Sequence, residues 1–338
     1  QSDMRRIWVQ LALLQCCLLG GVAQAEGRGP RLPDPTQLLD AQAVSLGVVH
    51  ARAEDAGFRS LLKTAWEAMR SRKNKGSSFL DLCSGFLPST AQEQILLGFL
   101  PFQGVRIDHI DARGKDKASF MVTVGGWSGV QALFWNTLLQ GPDGKPYPTE
   151  KVAGETVVIR VREGQPREEA PVIARVDGTF YSFANLETAR RVLDRQLGEN
   201  ADLGVAFGEL DRQQDTYGVL LNRQQSLLRF FNWVNKRDFL TVQEAVGAER
   251  LQQVLSHVEY LTWQGDLLSD DRMDMQIKFH ADAGDNAEQI EEVISLARSA
   301  LAARGRTGEL EMTTVDEDVL LNVQFTGYRK MLVDYINR

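Results

Sequence analysis

The sequence predicts an α+β fold: two copies of a strand-strand-helix-strand-strand-helix unit with largely antiparallel sheets, joined by a helical segment. Two pairs of matching segments carry this reading. Residues 118–124 and 273–279 match as strands, each followed at once by a turn and an amphipathic helix. Val176-Asp177-Gly178 then opens the closing strand and helix of the first copy, as Val315-Asp316-Glu317 does in the second. The offsets differ, 155 positions from Ala118 to Met273 against 139 from Val176 to Val315, so copy one carries about 16 residues more. The segment Gly141-Pro142-Asp143-Gly144-Lys145-Pro146-Tyr147-Pro148 sits where that excess is expected.

The chain opens with Arg5 and Arg6, an apolar run over residues 7–22, and the small-residue site Ala23-Gln24-Ala25. This pattern reads as an export signal cleaved after Ala25. The run is shorter than the roughly 20 residues of a membrane span, so no transmembrane segment is expected. Leu14-Gln15 ahead of Cys16 does not fit a lipidation signal. The expected organisation is 1–25 signal peptide, 26–37 flexible arm, 38–200 N-terminal copy with a leading strand and helix, 201–256 helical connector, and 257–338 C-terminal copy. The expected location is periplasmic or secreted.

Charge and cysteine content narrow the classes further. The chain carries 45 acidic and 38 Lys or Arg residues, a net charge of −7. Loss of the leader with Asp3, Arg5 and Arg6 takes this to about −8, which argues against nucleic acid or an anionic membrane as partner. Two of the three cysteines lie in the leader, so Cys83 stands alone and no intrachain disulfide is expected. Stability must come from the core, for which this length is ample.

Taken in order, residues 43–50 read as a first strand. Phe58, Leu61, Leu62, Ala65, Trp66 and Met69 then fall at helical spacing, ended by the basic run 70–75 and Gly76. Ala118, Phe120, Val122 and Val124 alternate with polar neighbours, the mark of a half-buried antiparallel strand. Residues 156–162 and 172–183 supply further strands. Residues 200–256 read as mainly helical: Leu220, Leu221, Leu227, Leu228, Phe230, Phe231 and Val234 are dense enough for a buried helix, and Thr241 with Glu244 forms a capping box for the next, which ends near Leu255. In copy two, Met273, Met275, Ile277 and Phe279 face one side and Asp274, Gln276, Lys278 and His280 the other, so one sheet face is wet. Ile290, Val293, Ile294, Ala297 and Leu301 form the apolar stripe of a covering helix, capped by Asp285 with Glu288.

No motif carries catalysis. Gly126-Trp127-Ser128-Gly129-Val130 lies between strand and helix, yet a nucleophile elbow needs glycine two residues after the serine and position 130 is Val. Asp108-His109-Ile110-Asp111 offers three ligands, but alternation on a strand sends Asp108 to one face and His109 and Asp111 to the other. His50, His257 and His280 sit in separate elements without ligand spacing. Asp270-Asp271, with Asp266 and Asp274, reads as an acidic hairpin turn outside the EF-hand pattern. There is no phosphate loop, and no catalytic residue, metal or cofactor is expected. The candidate ligand-binding residues are Asp108 and His109, together with Trp127 and Trp135, which stand about two turns apart beside Phe134 and would line an apolar groove.

The opening Leu38-Leu39-Asp40-Ala41-Gln42-Ala43-Val44-Ser45-Leu46-Gly47-Val48-Val49, its amphipathic helix and the duplicated units resemble a loose set of exported Gram-negative bacterial proteins of unknown function. The resemblance covers most of the mature chain. It implies an exported α+β duplication and supplies no site residues. The favoured function is a non-enzymatic periplasmic binding or assembly protein, with an unknown protein partner or self-association through free edge strands. The alternative is a small-ligand carrier or hydrolytic enzyme with its site between the copies, where Asp108, His109, Lys115 and residues 143–147 would converge.

Overall fold

The computed structural model describes residues 35–49, 102–107, 121–125, 139–141, 145–176, 179–196, 198–234, 236–268, 271–304 and 309–327, with Ser60, Thr64 and Lys330 as isolated helical positions. The fold is α+β, and its strands form one twelve-stranded sheet in which every pairing is antiparallel. The strands are β1 (Ser45–Val49), β2 (Phe102–Ile107), β3 (Met121–Gly125), β4 (Thr149–Val152), β5 (Glu155–Ile159), β6 (Val172–Val176), β7 (Thr179–Phe183), β8 (Thr216–Leu221), β9 (Val258–Leu267), β10 (Arg272–Ala281), β11 (Glu309–Val315) and β12 (Asp318–Thr326). The helices among the described residues are α1 (Leu186–Leu193), α2 (Ala201–Gly208), α3 (Ser226–Val234), α4 (Lys236–Val246), α5 (Ala248–Ser256) and α6 (Gly284–Ala302).

Strand order is β11-β12-β10-β9-β8-β1-β2-β3-β7-β6-β5-β4. Outward from the central β8–β1 pair it runs β9-β10-β12-β11 on one side and β2-β3-β7-β6 on the other, so the order reads alike in both directions. The hairpin β4–β5 lies beyond β6 with no counterpart beyond β11, and it begins immediately after the segment where extra residues were expected. Residues 126–138, where the counterpart of α6 would fall, lie outside the described residues. The matched strand order is therefore established, and the six-element repeat as a whole is not.

Two helical layers cover the middle of the sheet and its C-terminal arm. On one face, α3, α4, α5 and α6 press Leu227, Phe239, Leu251, Val254, Ala287 and Ile290 onto β9, β10 and β12, where Leu261, Phe279, Val319 and Leu321 complete the core. On the other, α2 lays Leu203, Ala206 and Phe207 over Leu46, Val48, Tyr217 and Val219 at the centre, the one helix that covers this face there among the described residues. A third cluster joins α1 to β4–β7 through Leu186, Ala189 and Val192. Because β8 is covered on both sides, Leu220 faces the first core while Val219 and Leu221 face the second.

That double burial explains one departure from the sequence reading. Leu220 and Leu221, expected on a helix, belong to strand β8; a strand buried on both faces shows a continuous apolar run instead of alternation. Two caps also move. Thr241 sits inside α4, where its hydroxyl donates to the Arg237 carbonyl at 3.0 Å, so it continues the helix and does not begin the next. The N-cap of α6 is Ala283, and Asp285 lies in the first turn, where a carboxylate favours the helix dipole without capping it.

Candidate functional site

The residues proposed from sequence as ligand-binding, Asp108, His109, Trp127 and Trp135, all lie outside the described residues, as do Lys115 and Cys83. Of the loop proposed to join them, residues 145–147 are described, and the Arg160 guanidinium lies 5.7 Å from the Tyr147 ring centroid. The polar surface that the structure assembles is elsewhere, on the C-terminal arm.

Four strands of that arm each carry two polar residues at i and i+2: Gln264 and Asp266 on β9, Asp274 and Gln276 on β10, Asn322 and Gln324 on β12, Glu309 and Glu311 on β11. Antiparallel register lays these pairs side by side. Asp266, Asp274, Gln324 and Glu309 form one row, and Gln264, Gln276, Asn322 and Glu311 form the next. Residues opposite one another across strands share a face, so all eight point away from the α3–α6 layer. All of them except Asp266 line an open cavity of about 420 Å³, to which Gln214 contributes from the α2–β8 connection.

The second row is a hydrogen-bonded amide ladder. Gln264 donates to Gln276 at 3.0 Å, Gln276 donates to Asn322 at 3.3 Å, and the backbone N–H of Asp211 donates to the Gln264 carbonyl oxygen at 2.9 Å. Each amide oriented by a neighbour keeps capacity for a further bond, since a primary amide has two donors and an acceptor with two lone pairs. The first row ties the surface to the sheet centre. Asp266 accepts from the Asp215 N–H at 3.0 Å, and Asp215, 2% exposed, accepts from the Leu267 N–H at 2.9 Å. Gly265 lets the backbones of β9 and β10 approach, because a Cβ there would stand 2.3 Å from the Asp274 carbonyl.

A cluster of ionisable groups closes the inner end. Lys278 is bonded to Glu209 at the C-cap of α2 and lies 3.5 Å from Asp318. His280 pairs with Asp318 at 2.7 Å and stacks on Tyr260 with centroids 4.5 Å apart. Tyr260 donates to Glu209 at 3.2 Å. Burial pushes the Tyr260 phenol well above the usual tyrosine range, and the neighbouring Glu209 pushes it further. The phenol is therefore a held donor and not an incipient nucleophile.

At the outer end Arg272 lies 3.3 Å from Asp274. Arg272 and Lys278 are thus already engaged with carboxylates, whereas among the described residues no cation pairs with Glu309 or Glu311. Such a surface offers hydrogen-bond acceptors and negative charge. Among the described residues no group of three or more His, Cys, Asp or Glu is arranged to hold a metal ion, and no helix is long and apolar enough to cross a membrane.

Alternation on β10 identified its wet face, with Asp274 and Gln276 among the residues named. The groove itself needed the register of four strands, and its sequence signal was the recurrence of carboxylate and amide pairs at i and i+2.

Comparison with known proteins adds little. No family model matches the chain, and no curated protein matches it. A solved structure, crystal form I of TP0453, is similar over 91% of this chain and 99% of its own, at 12% identity and a TM-score of 0.44. A likeness at that level carries no conclusion about activity or partners.

Proposed function

We propose that this chain is a non-enzymatic binding protein of the periplasm whose ligand surface is the face of β9, β10, β12 and β11 opposite the α3–α6 layer, which among the described residues carries no helix. The observation that carries the reading is the paired polar rows around the 420 Å³ cavity. An amide ladder with carboxylates beside it suits a ligand rich in N–H or O–H donors, above all a cationic one. The groups best suited to chemistry, Tyr260, Lys278 and His280, are bound to one another and to Glu209 and Asp318, which favours a structural role for them. The division at 200 and 256 into two arms and a connector, and export by residues 1–25, belong to the same reading.

Spermine serves as a test probe, with inorganic phosphate as the opposite charge. Spermine is expected to raise the melting temperature of the protein in a saturable way, and the Gln276→Ala and Glu311→Gln variants are expected to lose that shift. A shift with phosphate but not spermine, or one that both variants retain, would overturn the proposal. The cavity also favours a second reading, that of a small-ligand carrier, with its site inside the C-terminal arm.

A further inference from the structure

The outermost strand of this surface, β11, ends the sheet, and among the described residues no strand pairs with its outer edge. An edge strand leaves a row of backbone N–H and C=O groups open, which is a template for one more strand. β11 runs for seven residues, and the polar or exposed positions Glu309, Glu311, Thr313 and Val315 alternate with Leu310, Met312 and Thr314 on the core side. Leu310 and Met312 are only partly buried, packed at the margin of the core under α6.

Each face of the edge specifies a different side chain. A strand added beside β11 would place alternate residues next to Leu310 and Met312, where apolar groups would extend the core layer. The intervening residues would lie beside Glu309 and Glu311, with Gln324 and Asn322 in the next row. We propose that β11 binds an extended peptide segment by strand addition, and that this segment alternates apolar residues with Lys or Arg. The site is the open strand edge; the carboxylates choose its occupant. This rests on the binding-protein reading and names the class of its partner.

A second copy of this chain fits the same edge less well. Antiparallel self-pairing centred on Met312 would make the two Glu311 side chains diagonal neighbours, and pairing centred on Leu310 would set each Glu309 directly opposite a Glu311, with no cation of β11 between them. The chain already carries a net charge of −7. Like charges across a pair of strands are destabilising, whereas a basic strand neutralises the row.

The test uses the whole protein and a capped peptide of alternating Lys and Val, about ten residues long so that it overhangs a strand of ordinary length. The peptide is expected to bind saturably and to slow hydrogen exchange of the amides in 309–315. The double variant Glu309→Lys/Glu311→Lys changes only exposed side chains; it is expected to bind this peptide at least about tenfold more weakly and to accept a Glu-Val peptide in its place. The proposal is overturned if the peptide does not bind, if protection falls away from β11, or if charge reversal leaves affinity unchanged. Concentration-dependent protection of 309–315 without peptide would overturn it in favour of a second copy. Should the peptide fail while spermine still acts through Gln276, only the strand-addition proposal falls and the groove remains.

Discussion

At the scale of single residues, Trp263 shows how the centre of the sheet is packed. Gly47 on β1, Gly218 on β8 and Trp263 on β9 stand in one cross-strand row. The indole lies over both glycines: a Cβ on Gly218 would stand 2.2 Å from its ring and 2.7 Å from the Leu46 carbonyl, whereas a Cβ on Gly47 would stand 3.0 Å from the far edge of the ring alone. Gly218→Ala is therefore expected to lower stability by roughly 1–3 kcal/mol or more, as an overpacked core does, and Gly47→Ala by clearly less. Urea denaturation of the two variants checks the order. Neither glycine announced this role in the sequence, because the contact depends on register between strands far apart in the chain. Tyr260 gives a pH prediction with a definite sign. Its phenol is raised in the folded state by burial and by Glu209, so its contribution to stability is complete below the ordinary tyrosine value of about 10 and is lost as pH rises toward the folded value. Between pH 9 and 11 the wild type is expected to lose more stability than Tyr260→Phe, measured as the denaturation midpoint. Equal losses would remove Tyr260 from the account.

At the scale of elements, side chains at the junctions fix how helices leave the sheet. Asn222, just after β8, donates to the Leu255 carbonyl at 2.6 Å and the Val258 carbonyl at 2.9 Å, and accepts from the Leu227 N–H at 3.1 Å. One amide thus ties the start of α3 to the α5–β9 turn. With about 1 kcal/mol for each net hydrogen bond, Asn222→Ala is expected to lower stability by roughly 2–3 kcal/mol, and Asn222→Asp, which keeps only the acceptor, by an intermediate amount. Thermal or chemical denaturation reads both. Elements with a clear period were legible: β10 and α6 showed their apolar and polar faces directly, and Ile290 and Val293 are buried as their spacing implied. β8 was not legible, since Leu220 and Leu221 serve opposite cores and leave no alternation. The polar surface of the C-terminal arm was not legible for a related reason. Asp108, His109, Trp127 and Trp135 stood out by residue type, whereas Gln264, Gln276 and Asn322 are ordinary residues that become a surface only when three strands align.

At the scale of the whole molecule, the arrangement is one long antiparallel sheet whose order reads alike from its centre, with helices distributed unevenly over it. Among the described residues the α3–α6 layer covers one face of the C-terminal arm, α2 covers only the centre of the other, and what remains open there is polar. A sheet face that no described helix covers must satisfy its side chains with water or with a ligand, and oriented amides beside Glu309 and Glu311, which among the described residues pair with no cation, suit a cationic one. Spacing suggested two related units, and the strand order alone is seen to match; spacing could not say that both arms belong to one continuous sheet, because that depends on the β1–β8 pairing. The central claim is that ligands meet the open face of the C-terminal arm. Its most direct test is hydrogen exchange across the whole protein, with and without the saturating Lys-Val peptide. The account predicts slowed exchange confined to β9–β12 and greatest in β11. Slowed exchange confined to β2–β7, or no change anywhere, would contradict it.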